Sequence, residues 1–130
     1  SGYDNYLVVG NGISSDVNDN LRIRLNGGAS TNYLTQGFTV SSNAQTTSNA
    51  SGNLGLDATQ TSGNFTFTIS GCLSTTGYKN YSFVGFRSQT TTGGVATSGI
   101  YTSNTAITEI NLQLTANNFD AGTYYLFGSN

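Results

Sequence analysis

The side chains able to do acid, base, nucleophilic or metal chemistry are few and scattered. In 130 residues there are six carboxylates (Asp4, Asp16, Asp19, Asp57, Glu109 and Asp120), four cations (Arg22, Arg24, Lys79 and Arg87), one thiol and no histidine. Without histidine the usual general base, the imidazole of a nucleophilic triad and the commonest metal ligand are all missing. Glycoside hydrolysis needs two carboxyl groups about 5–9.5 Å apart. Five of the acids fall in stretches that read as loops or ends, and the pair left open is Asp57 with Asp120. The run Asp16-Val17-Asn18-Asp19-Asn20 looks superficially like a calcium loop. An EF-hand needs Gly at its sixth position and Glu at its twelfth, where this chain has Leu21 and Gly27, so a solvated loop is expected. The glycines after Asn26 precede no helical pattern and make a turn, not a nucleotide loop. The expectation is a protein that is not an enzyme and uses no metal or cofactor.

Two features can bind without catalysing. Arg22 and Arg24 share one face of a strand whose other face is Leu21, Ile23 and Leu25. They can grip an acidic glycan or a partner carboxylate bidentately, or pair with Glu109 or an Asp across the sheet. The chain also has eight tyrosines, and Tyr78, Tyr81 and Tyr101 stand in or beside expected loops. Aromatic faces beside amides are what a sugar site requires, although each ring can equally be ordinary packing. Cys72, alone and flanked by Ile69 and Leu73, reads as a small buried hydrophobe. Asn-x-Ser/Thr triplets at Asn49, Asn64 and Asn80 are what chance delivers in so Asn-, Ser- and Thr-rich a chain.

Composition narrows the classes further. Charged residues are 8%, against roughly 25% in an ordinary globular protein, and Asn, Ser and Thr make up about two-fifths of the chain. The surface must be neutral amides and hydroxyls. Net charge is −2, with no basic stripe to displace counterions from nucleic acid or to meet an anionic membrane. There is no apolar run of about 18 residues and no signal-peptide pattern at the start. Residues 1–130 suit one domain. The absence of methionine, even at position 1, points to the C-terminal part of a longer polypeptide.

The elements that must position these residues are strands. Period-two alternation or short apolar runs mark strands at 3–9, 21–25, 33–40, 64–70, 81–88 and 93–101, with Gly99 hinting at a bulge. Residues 10–20 and 41–62 read as loops, the second broken by a short piece around Leu54-Gly55-Leu56. The stretch 107–128 reads as a closing hairpin. Ile110, Leu112 and Leu114 line one face of its first strand, and 123–127 is apolar on both faces. A strand of that kind belongs inside a sandwich or at a subunit interface, which makes Ile110, Leu112, Leu114, Tyr125 and Phe127 the candidate core and oligomer contacts. With no helical period and turn signals every 8–14 residues, the fold expected is all-β: an antiparallel, jelly-roll-like β-sandwich of about eight strands. No proline protects its edges and few charges can, so oligomerisation is the economical cover.

Two segments resemble a pattern common in tailed-bacteriophage virion proteins. The first is Leu21-Arg22-Ile23-Arg24-Leu25-Asn26-Gly27-Gly28, followed by Thr31-Asn32-Tyr33. In those proteins a strand ends in Asn-Gly-Asp, then come a short spacer and Asn-Tyr. The second runs through Asn104-Thr105-Ala106-Ile107-Thr108-Glu109-Ile110, then Phe119-Asp120-Ala121-Gly122-Thr123 and Leu126-Phe127-Gly128. It resembles their Ile-Thr-x-Ile strand, Phe-x-x-Gly-Ser/Thr turn and terminal Leu-Tyr-Gly. Gly28 stands here in place of the Asp, and Phe127 in place of the Tyr. The order and spacing match over residues 3–128, and in the family a further strand precedes this region. The resemblance implies a β-sandwich module of a virion appendage on the extracellular particle: capsid fibre, capsid decoration, tail fibre or baseplate component. Such modules are commonly homotrimers in contact with other virion proteins.

Three functions follow as expectations. The first is a non-enzymatic, oligomeric virion structural protein. The second is a receptor- or glycan-binding tip domain that attaches to host-surface glycan. The third, a glycan depolymerase, ranks last for want of carboxylates.

Overall fold

Alternating sequence becomes alternating burial. The computed structural model describes residues 2–16, 19–28, 32–39, 44–49, 53–58, 63–89, 92–114, 116 and 118–130. Ten strands are present: β1 (Asn5–Ser15), β2 (Asp19–Leu25), β3 (Tyr33–Thr39), β4 (Ala44–Asn49), β5 (Asn53–Ala58), β6 (Gly63–Ser70), β7 (Lys79–Gln89), β8 (Thr92–Tyr101), β9 (Ile110–Leu114) and β10 (Phe119–Ser129). They form an antiparallel all-β sandwich. One sheet has seven strands in the order β10-β1-β6-β7-β8-β3-β4, and the other has three in the order β5-β2-β9. The chain changes sheet repeatedly, and most neighbours are not consecutive in sequence.

The core is the set of residues that the alternation points inward. Phe65, Phe67 and Ile69 of β6 are buried while Thr66, Thr68 and Ser70 are exposed. Leu21, Ile23 and Leu25 of β2 are fully buried against Tyr33, Tyr81, Phe83 and Tyr101 from the larger sheet. Each such side chain contributes roughly 1.5–3 kcal/mol by leaving water.

Four sequence expectations are corrected. The stretch 107–128 is not a hairpin: β9 pairs with β2 in the small sheet and β10 pairs with β1 in the large one. The register explains the split. Leu114, Leu112 and Ile110 stand opposite Leu21, Ile23 and Leu25, so one apolar face meets another. The strand β1 continues through residues 10–15, passing a bulge at Gly12 (φ 64°) that shifts its register against both neighbours. Residues 41–62 contain β4 and β5, whose backbones pair with β3 and β2. Their polar sequence hid them, because a strand is defined by pairing and not by apolarity. Gly99 is not a bulge, since both ladders run through it without a shift. It is required because a Cβ there would stand 2.5 Å from the Tyr81 hydroxyl and 2.4 Å from the Leu34 carbonyl.

Candidate functional site

The strand β10 is the last of its sheet. It pairs with β1 from Asn5↔Ser129 to Asn11↔Thr123 and, past the bulge, at Ser14↔Ala121 and Ser15↔Phe119, and no described strand pairs with its other side. Residues 120–130 are all exposed. Tyr124, Tyr125, Leu126 and Phe127 are 39%, 49%, 62% and 55% exposed, an unusual density of large apolar surface on one strand. Tyr124 and Leu126 point the same way as Val8, while Tyr125 and Phe127 share the opposite face with Leu7 and Val9.

The small sheet ends before it reaches this edge. Three strands face seven, and a gap remains between β9 and the β1–β10 pair. The result is a groove of about 370 Å³ between the sheets, lined by Val8, Ile110, Leu112, Tyr124 and Leu126 with Glu109 at its margin. Of the five residues expected at core or interface, Leu114 is buried, Ile110 and Leu112 are half-buried at the groove, and Tyr125 and Phe127 lie open. Tyr124 is fixed by edge-to-face contact with Phe119 (5.6 Å) and a tilted contact with Phe65 (6.1 Å). Burial raises the pKa of its hydroxyl well above the usual phenol value.

The Phe-x-x-Gly segment reads as a turn in sequence but forms the first residues of β10, paired with Ser15 and Ser14 at the β1 bulge, and its glycine has a physical reason. Gly122 has φ 119°, and a Cβ on it would come within 2.5 Å of the Ile13 side chain. Asp120 accepts a hydrogen bond from the Ser14 hydroxyl, tying the segment to the β1 bulge.

The end of the sandwich beside this groove is closed, and there Asn26 of the first resembling segment meets residues 106–109 of the second. Residues 102–109 cross from the large sheet to the small one without regular structure and are fastened at four places. The Thr102 amide donates to the Asn32 carbonyl (2.9 Å). The Ile107 amide donates to the Cys72 carbonyl (2.7 Å). The Lys79 ammonium, fully buried, donates to the carbonyls of Ser103 (2.9 Å), Ser74 (2.8 Å) and Gly77 (3.0 Å). Desolvation lowers the pKa of that ammonium.

Asn26 is the fourth fastening. Its Oδ1 accepts from the Thr108 amide (2.8 Å), the Glu109 amide (3.1 Å) and the Thr108 hydroxyl (3.2 Å), and its Nδ2 donates to the Ala106 carbonyl (2.7 Å). It holds a left-handed φ of 52°, which Asn tolerates better than most residues. The Tyr33 hydroxyl accepts from the Leu25 amide (2.7 Å), and the Tyr101 hydroxyl donates to the Leu25 carbonyl (3.1 Å). Gly28 is filled from the other side: a Cβ there would stand 2.4 Å from the Tyr101 hydroxyl.

The remaining candidate contacts do not converge. Tyr81 and Tyr101 are core residues, 3% and 2% exposed, and not loop residues open to a sugar. The Tyr81 hydroxyl is hydrogen-bonded to Thr35, and Tyr101 packs on Tyr33. Each lies on the inward side of its strand, Tyr81 with Phe83 on β7 and Tyr101 at the end of β8. Only Tyr78 is exposed, on the loop before β7. Arg22 and Arg24 do share a face of β2. Arg22 is bonded through Nε (3.2 Å) and a terminal nitrogen (2.9 Å) to Gln113 Oε1, not to Glu109. Arg24 donates to the Ile23 carbonyl (2.9 Å) and lies 5.5 Å from the Tyr33 ring centre. Burial first, and the Arg22 charge second, lower its pKa.

Asp120 faces Ser14, and Asp57 stands in β5 with its side chain outside the described residues. Val17 and Asn18 of the calcium-like run lie outside them too. Cys72 is fully buried, and burial followed by the Asp4 charge pushes its thiol up to about 11. Among the described residues no group of three or more His, Cys, Asp or Glu is placed to hold a metal, and no helix is long and apolar enough to cross a membrane. Sequence reasoning missed Asn26 and Lys79. An Asn-Gly pair signals only a turn, and nothing local marks a lysine as buried.

Compared with protein-family models, with curated proteins and with solved structures, the chain has no match.

Proposed function

We propose that this chain is a non-enzymatic structural module of a tailed-phage particle, an appendage or decoration domain that works as a homo-oligomer. The observation that carries the reading is the last strand. A full-length edge with Tyr124, Tyr125, Leu126 and Phe127 exposed on its two faces, beside a groove the small sheet leaves open, is a surface that needs a partner. The sequence resemblance supplies the particle and the trimer. Support for it comes from the closed end, where the two resembling segments are bonded to each other through Asn26. Residues far apart in sequence that are joined in this way have a common structural reason to occur together.

The test has two parts. Sedimentation of the purified chain should give an oligomer, and Leu126→Lys with Phe127→Lys should give a folded monomer with an unchanged far-ultraviolet spectrum. A monomer for the parent chain at high concentration removes the oligomeric part. Immunogold labelling of intact phage particles with an antibody to the domain should decorate head or tail. Unlabelled particles that demonstrably contain the protein remove the assignment to the particle surface.

A further inference from the structure

We infer that the outer face of the large sheet carries a binding site for a neutral saccharide, seated on Tyr125 between the amides of Asn11 and Asn64. This goes beyond the structural reading and requires that the oligomer cover the edge and the Tyr124–Leu126 face of β10 while leaving the Tyr125 face open. An open depression of about 610 Å³ crosses β10, β1, β6 and β7. Tyr125, Val9 and Val84 give it an apolar floor, and Asn11, Asn64 and Thr66 give it a polar rim. Tyr125 and Val84 are 49% and 57% exposed, so the floor is open to solvent. Gly94 widens it by contributing no side chain.

The rim is built by the β1 bulge. At Gly12 the strand slips register against both neighbours, and the freed Gly12 amide donates to Asn64 Oδ1 (2.8 Å). That bond fixes which way the Asn64 amide points. Its oxygen is used and its NH₂ keeps two donors with no partner among the described residues. Asn11, on the bulge itself, is exposed with its side-chain amide likewise unpartnered there. Bulges commonly re-aim side chains beside binding sites.

The chemistry selects the ligand class. Among the described residues no charged one lines the depression, which disfavours phosphates, sulfated glycans and nucleic acid. Amide and hydroxyl groups at the rim disfavour a lipid chain. A pyranose has an apolar C–H face for an aromatic ring and a hydroxyl rim for amides, which is the pattern present. Tyr78, Tyr81 and Tyr101 take no part in it.

The test is amide-resolved NMR titration of the full chain with neutral oligosaccharides of hexose and of N-acetylhexosamine. The expected result is saturable shifts confined to residues 9–12, 64–66, 84–85 and 125, lost at least about tenfold in affinity in Tyr125→Ala and retained in Tyr78→Ala. Asn11→Ala should weaken binding without disturbing the Gly12–Asn64 contact. Three results overturn the proposal: no shifts at about 10 mM sugar, shifts that persist in Tyr125→Ala, or changes at these residues that follow protein concentration and ignore sugar. The last outcome assigns the face to a second copy of the chain. Loss of oligomerisation with sugar binding intact would count against the structural reading alone.

Discussion

The closed end of this sandwich and its open edge, β10, are built on opposite terms. At the closed end, residues 102–109 have no regular structure, yet their polar groups are met by Asn26, Asn32, Cys72 and Lys79. At the open edge, β10 is a continuous strand laddered to β1 on one side with register shifts only at the β1 bulge, yet its large apolar side chains are left in water. Regularity and completeness are therefore separate properties. An irregular segment can be finished by side chains, while a continuous strand can be unfinished because its faces and edge have no cover.

That contrast is most sharply tested at Lys79. Lys79→Met keeps the buried stem but leaves three carbonyls without a donor, and should cost about 3–5 kcal/mol in denaturant unfolding. A loss below about 1 kcal/mol would mean that the closed end is not held by its polar groups. Asn26→Ala should follow, at about 2–3 kcal/mol, for the bonds to residues 106–109. Asn26→Asp should recover part of this, because it keeps Oδ1 and loses only the donor to Ala106.

Alkaline pH probes the buried hydroxyls and thiol of the whole sandwich without mutation. Tyr33 is raised to about 12 and Cys72 to about 11, both mainly by burial, and Tyr81 is raised as well. The folded state thus keeps protons that the unfolded chain releases near its ordinary values of about 8.5 for Cys and 10 for Tyr. Their contribution is complete below those values and is lost as pH rises through the folded ones. Unfolding midpoints should be level between about pH 7 and 8 and fall steadily from about pH 9, with Tyr33 alone accounting for about 2–3 kcal/mol. A flat profile to pH 11 would contradict the burial of these hydroxyls.

Gly28→Asp restores the residue usual in the resembling proteins and should cost about 1–3 kcal/mol, because its Cβ meets the Tyr101 hydroxyl. Tyr101→Phe in the same chain should return some of that loss, a coupling read from a double-mutant cycle. Additive losses would show that position 28 and Tyr101 do not compete for space. The smallest effect belongs to the open edge: Leu126→Ser should change the stability of the isolated chain by less than about 0.5 kcal/mol. A large loss in the monomer would mean that β10 is already covered.

Much of the fold was legible because burial follows period two. Residues 64–70 and 21–25 show it cleanly, and their inward residues are the ones found in the core. The same alternation accounts for Tyr81, expected beside a loop but buried on one face with Phe83. The polar strands β4 and β5 were not legible, because their pairing partners lie elsewhere in the sequence. The closing hairpin was misread for a related reason. Adjacency in sequence favours pairing, but the Ile110, Leu112 and Leu114 face found its match on β2.

The sequence by itself determined the class: an all-β chain with few charges, no histidine and apolar residues at alternate positions, which points to a sandwich. Only the tertiary structure decided which polar groups are satisfied and which surfaces are not. Whether a lysine is caged by carbonyls, whether Asn26 clasps residue 108 and whether a two-sided apolar strand is core or edge all depend on what long-range pairing brings alongside. No local pattern encodes that, because a side chain's environment is made by residues far from it in the chain.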